Sequence, residues 1–121
     1  MHAINVGEKL KSFSEHWHPR RIAVLDEMQV IVAKISGEFV WHQHDHEDEL
    51  FFVQKGTLLM QFRDRTETVE EGELIVVPKG VEHCPKTRDG EEVHLLLIEK
   101  LSTKHTGELQ TELTVNEYPA I

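Results

Sequence analysis

Residues 39–63 read FVWHQHDHEDELFFVQKGTLLMQFR. Successive side chains of a β-strand point to opposite faces, so over Phe39–His44 the imidazoles of His42 and His44 project together while Trp41 and Gln43 project the other way. The acidic run Asp45–Asp48 makes a turn, and Glu49 opens a second strand, Leu50–Gln54, on the face it shares with Phe51 and Val53. Lys55-Gly56 supplies a two-residue turn whose glycine suits the positive φ of a tight hairpin, which predicts pairing with a strand over Thr57–Arg63. In that hairpin Gln54 faces Thr57, and Val53, Phe51 and Glu49 stand opposite Leu58, Met60 and Phe62 on one face. Phe52 and Leu50 stand opposite Leu59 and Gln61 on the other. Both faces are largely apolar, which predicts cover on both: a barrel interior on one side, and N-terminal strands or a second subunit on the other.

The same period-two alternation extends outward from about Arg21 to Glu99. Gly, Pro and acidic residues break it into strands at Ile22–Leu25, Gln29–Ile35, Phe39–His44, Leu50–Gln54, Thr57–Arg63, Leu74–Val77, Gly80–His83 and Val93–Glu99. Short strands at this spacing predict an all-β sandwich or barrel with few or no helices. Glu67, Glu70, Glu71 and Glu73 read as a solvated acidic edge that discourages edge-to-edge association. Beyond Glu99 the alternation fades, and Lys100–Ile121 reads as a loosely regular C-terminal extension. No repeat or linker divides the chain, so a single domain over 1–121 is expected, with a core barrel about 22–99 and an extension about 100–121.

A chain of 121 residues supports one core. Its formal net charge of −9 would repel a phosphate backbone, so nucleic acid is not an expected partner. No apolar run approaches the ~18 residues of a membrane span, no leader pattern stands at the N-terminus, and a cytoplasmic protein is expected. Cys84 is the single cysteine, which fits a reducing compartment and leaves the fold to its core or a partner. The apolar outer face of the hairpin predicts a homodimer.

Nine histidines are many for this length, and His42, His44 and His46 lie within five residues. Two imidazoles beside the Glu49 carboxylate suit a borderline divalent cation, which accepts neutral nitrogen together with hard oxygen. A fourth ligand would close the set, and His83 follows an apolar strand that ends in a Pro78-x-Gly80 turn. The first segment runs His42-x-His44, four residues, Glu49, six residues, Gly56; the second runs Gly72, five residues, Pro78-x-Gly80, two residues, His83. Together they resemble the two motifs of the cupin superfamily, with Gly37 one residue closer to His42 than the family spacing and Thr87 where an asparagine is common. The resemblance, to small single-domain cupins of the mannose-6-phosphate isomerase-like kind, implies a double-stranded β-helix, or jelly-roll barrel. It also implies one divalent transition metal (Zn, Ni, Fe or Mn) held by His42, His44, Glu49 and His83.

Competing assignments are weaker. His46 leaves only two residues before Glu49, Asp48 serves only if the turn slips by one, and His16-x-His18 is cut off by Pro19 with no acidic neighbour. Cys84 would face away from His83 and reads as a small buried residue. Phe51, Met60 and Phe62 share the ligand-bearing face and are expected to line a pocket. Lys79, Arg63, Lys86 and Arg88 read as solvated surface.

Three imidazoles and a carboxylate leave open positions on the ion, so a small organic ligand, sugar-like or a carboxylate, is the expected partner. Metal-assisted isomerisation or oxygenation is the first functional expectation, non-catalytic ligand capture the second, and a closed structural metal the third. Isomerisation needs a base beyond the ligands, and among Gln61, His94 and Glu38 none stands out.

Overall fold

The computed structural model describes residues Met1–Ile121. Eight strands follow one short helix, α1 (Val6–Lys11): β1 (Arg20–Leu25), β2 (Met28–Ile35), β3 (Glu49–Lys55), β4 (Leu58–Phe62), β5 (Thr66–Val69), β6 (Leu74–Val77), β7 (His83–Lys86) and β8 (Val93–Lys100). They form a five-stranded sheet in the order β1-β2-β8-β3-β6 and a three-stranded sheet in the order β5-β4-β7, with every strand pair antiparallel. The two sheets make the all-β architecture expected from the spacing of short strands, in the jelly-roll form that the resemblance implies.

Alternation decides which side chains enter. Ile31, Ala33 and Ile35 of β2, Phe51 and Val53 of β3, Leu58 and Met60 of β4, and Val93, Leu95 and Leu97 of β8 belong to one buried cluster. Each of these side chains other than that of Ala33 contributes about 1.5–3 kcal/mol relative to exposure.

The pairing of residues 50–63 corrects the hairpin expected from the sequence. β3 bonds to β6 and β8, while β4 bonds to β5 and β7, so the two strands lie in different sheets. Lys55-Gly56 carries the chain across between them, with Gly56 at φ +87° and its missing Cβ position only 3.2 Å from the Glu92 carbonyl. Period-two alternation fixes which face a residue takes but not its lateral partner; Phe51 and Met60 therefore both point inward, from different sheets.

Three further differences concern the strands, the first being that β7 runs His83–Lys86 rather than over the expected Gly80–His83. Phe39–His44 is not a continuous strand; it touches β7 only at the bridges Glu38↔Lys86 and His42↔His83. The Phe39 amide donates to the Pro85 carbonyl, but Pro85 has no N–H to return, so the ladder cannot close between the bridges. Thr66–Val69, read only as part of an acidic edge, is the edge strand β5, and its Glu67 pairs with Arg65 at 2.9 Å.

Helix α1 starts at Asn5, whose side chain accepts from the Glu8 amide, and its Leu10 packs with Ile22 and Val32 on the outside of the large sheet. No helix is long and apolar enough to cross a membrane. The C-terminal residues 101–121 form a strap without regular structure that returns to β1, where the Arg21 amide donates to Pro119 and the Ile121 amide to Arg21.

Candidate metal centre

His42 and His83 face each other across a bridge in which each amide donates to the other's carbonyl, at 3.0 and 2.9 Å. Their ring centroids lie 4.4 Å apart. The His44 carbonyl accepts from the Gly80 amide at 2.8 Å, which ties the loop bearing two of the imidazoles to the Pro78–Gly80 turn that delivers the third. Asp48 reinforces this tie by accepting from the Lys79 amide at 2.9 Å. Glu49 enters as the first residue of β3.

One candidate ligand atom from each of His42, His44, Glu49 and His83 falls within 4.8 Å of the others, and all four residues are buried. His42 Nδ1 donates to the Val40 carbonyl and His83 Nδ1 to the Val81 carbonyl, both at 2.9 Å. Each Nδ1 therefore carries a hydrogen, which leaves Nε2 as the nitrogen that can offer a lone pair, the arrangement that second-sphere carbonyls impose on ligating histidines. Glu49 Oε1 stands 3.4 Å from His44 Nε2 and 3.6 Å from His83 Nε2. His44 Nε2, His83 Nε2 and Glu49 Oε1 are buried with no hydrogen-bond partner. Buried polar atoms without partners are costly, and three of them aimed at one point imply something between them. Ligands of one ion with bonds of about 2.1 Å stand about 3.0–3.4 Å apart at octahedral to tetrahedral angles. The donor set and its spacing suit a divalent transition metal.

Burial, with the neighbouring His83, lowers His42 to about 4, which keeps its ring neutral. Burial also opposes charge on His44, but the Glu49 carboxylate outweighs it and raises that ring. Glu99 lies opposite Glu49 in the β3–β8 register, is 1% exposed, and accepts from Gln29 Nε2 at 3.3 Å. Burial and then the Glu49 charge push Glu99 well above the usual carboxylate range. Burial acts the same way on Glu49, but His44, His83 and Glu99 hold it well below that range. Glu49 is thus the charged carboxylate of the pair, and Glu99 keeps the proton.

The cupin-domain family model Cupin_2 matches residues 29–99. The chain belongs to the cupin family. A cupin-2 domain containing protein from Shewanella frigidimarina is 45% identical, with a TM-score of 0.79 over 81% of this chain and 94% of that one. Protein NMB1881 from Neisseria meningitidis is 33% identical, with a TM-score of 0.73 over 82% and 99%. Bacillus subtilis (strain 168) protein YdbB is 35% identical over 82 residues, which span 67% of this cupin and 66% of YdbB.

Beside the centre lies a cavity of about 40 Å³. Its walls include Trp17, Phe39, Phe51 and Leu97, and its polar lining comes from His42, Glu49, His105 and Tyr118. Of the residues expected to line a pocket, Phe51 does so; Met60 sits in the closed core, and Phe62 packs half-buried against that core. Trp17 stacks on Phe39 at 4.7 Å, which gives the His16–His18 segment its place as wall. His46 and Asp48 are exposed. Cys84 is fully buried, and burial pushes its thiol up to about 11. Arg63 lies over the Trp41 ring and pairs with Glu82.

Sequence reasoning missed Glu99, His105 and Tyr118. The signal for Glu99 was present, because the buried series Val93, Leu95, Leu97 continues to it. His105 and Tyr118 lie in the aperiodic strap, which carries no such signal.

Proposed function

We propose that this cupin binds a small organic ligand at a divalent transition metal held by His42, His44, Glu49 and His83, and converts it by isomerisation or oxygenation. The observation that carries the reading is the convergence of buried, unpartnered His44 Nε2, His83 Nε2 and Glu49 Oε1. A metal held there supplies Lewis-acid polarisation of a ligand oxygen, or an anchor for dioxygen if it is iron. The chain's own residues fix the imidazole tautomers through the Val40 and Val81 carbonyls and limit water through the apolar wall. The cavity beside the centre weighs against a closed structural metal. No Lys or Arg lines it, so a neutral polyol or a carboxylate suits it better than a sugar phosphate.

Metal analysis of protein purified without chelator or metal-affinity resin tests this. The expected result is close to one equivalent of a single transition metal per chain. Iron would point to oxygenation, and zinc, nickel or manganese to Lewis-acid chemistry. Metal-free protein that takes up none of these ions at micromolar concentration would refute the reading.

A homodimer belongs to the same proposal. Leu74 and Val76 of the edge strand β6 are 57% and 48% exposed. In register they adjoin Phe52 and Leu50 on the outer face of β3, beyond the part of the sheet that α1 covers. The band is apolar and a second copy carries its complement, the condition for a two-fold interface. Light scattering after size-exclusion chromatography is expected to give twice the chain mass, and a 14.0 kDa species at micromolar concentration would refute pairing.

A further inference from the structure

The strap after β8 does more than cover the barrel. It brings His105 and Tyr118 into the lining of the cavity that His42 and Glu49 also line. The rings form one cluster: Phe39 meets the His42 ring edge-on at 5.4 Å and the His105 ring at 4.9 Å, and Tyr118 stands edge-on to His105 at 5.8 Å.

Local bonding fixes the chemistry that these two residues offer. The Val115 amide donates to His105 Nδ1 at 2.9 Å, so that nitrogen is the acceptor and the ring hydrogen resides on Nε2. Burial keeps the His105 ring neutral, lowered to about 4, and raises the Tyr118 phenol, so it retains its proton. Neither His105 Nε2 nor the Tyr118 hydroxyl makes a hydrogen bond within the chain, whereas Thr106 of the same strap meets Thr114 at 2.7 Å. Two neutral donors at a largely apolar chamber offer an incoming acceptor two hydrogen bonds.

Resting on the metal reading above, we infer that His105 Nε2–H and the Tyr118 hydroxyl donate to the carboxylate group of a small organic ligand, and that the same carboxylate also reaches the metal centre. A carboxylate accepts from both donors at once, and the only cation it meets in this chamber is the metal. About 40 Å³ holds roughly three waters, so the strap as placed admits a ligand of a few non-hydrogen atoms or one end of a longer one.

Cobalt(II)-loaded protein reports directly, because the visible spectrum of the ion changes when an added ligand enters its coordination sphere. Acetate is one probe; imidazole, which ligates the metal but offers the donors no carboxylate, is the other. His105→Asn keeps an acceptor for the Val115 amide and loses the donor at the Nε2 position, and Tyr118→Phe removes one hydroxyl. Each is expected to weaken acetate by about tenfold, the usual loss for a hydrogen bond to a charged group, and to leave imidazole affinity within about twofold. Wild-type acetate affinity in both variants overturns the inference. So does a parallel loss of acetate and imidazole, which marks a displaced strap. Failure of the wild-type protein to take up cobalt overturns the metal reading and this inference with it, whereas uptake with unchanged acetate affinity overturns this inference alone.

Discussion

Replacing His83 with alanine is expected to lower affinity for a divalent transition metal by about an order of magnitude or more while leaving the barrel folded. His83 is fully buried, and its Nε2 has no partner in the chain, so the lone pair has no structural employment. What the side chain gives the fold is the Nδ1 bond to the Val81 carbonyl and contact with the neighbouring rings. The bridge to His42 is made by backbone atoms and survives the substitution. The expected stability cost in the absence of metal is therefore small, about 1–2 kcal/mol for one hydrogen bond and some packing. Competition with a chromophoric chelator measures the affinity, and circular dichroism the fold. His46→Ala is the comparison: His46 is exposed and expected to leave affinity unchanged. Equal affinities in the two variants would remove His83 from the ligand set.

The ligand residues could be read from the chain because a strand's alternation is local. His42 and His44, two residues apart, still converge although only His42 is bridged to β7, and the turn after Pro78 aims His83 regardless of pairing. Lateral partnership is not local. Residues 50–63 satisfy a hairpin and a crossover equally well, since both put Glu49, Phe51, Val53, Leu58 and Met60 inside. What selects the crossover is β8, which pairs with β3 on one side and β2 on the other although it lies far along the chain from both. The strap was opaque for the same reason. His105 acquires its role from contacts with Phe39 and Val115, and neither scattered apolar residues nor threonines announce such contacts in advance.

Gly107→Ala is expected to destabilise the protein by about 2–4 kcal/mol, lowering the melting temperature by roughly 10 °C, and to expose the strap. Gly107 has φ +62°, and a Cβ there would lie 2.1 Å from the Gln43 carbonyl oxygen, far inside contact distance. Gln43 separates His42 from His44, so the strap presses its one side-chain-free residue against the backbone of the metal-binding loop. A methyl group cannot be absorbed by a rotamer change, because the obstacle is a main-chain atom; strap or loop must move. Gly90→Ala separates the two contributions: Gly90 has φ +72° with nothing within 4 Å, so alanine there meets backbone strain alone, about 1 kcal/mol. The excess loss at Gly107 measures the contact between strap and loop. Lys104 is exposed and precedes the contact by three residues, so tryptic cleavage after it is expected to quicken in Gly107→Ala and not in Gly90→Ala. Identical melting and cleavage in the two variants would mean that the strap does not bear on the metal loop, and that His105 owes its place in the cavity to the Val115 and β1 anchors alone.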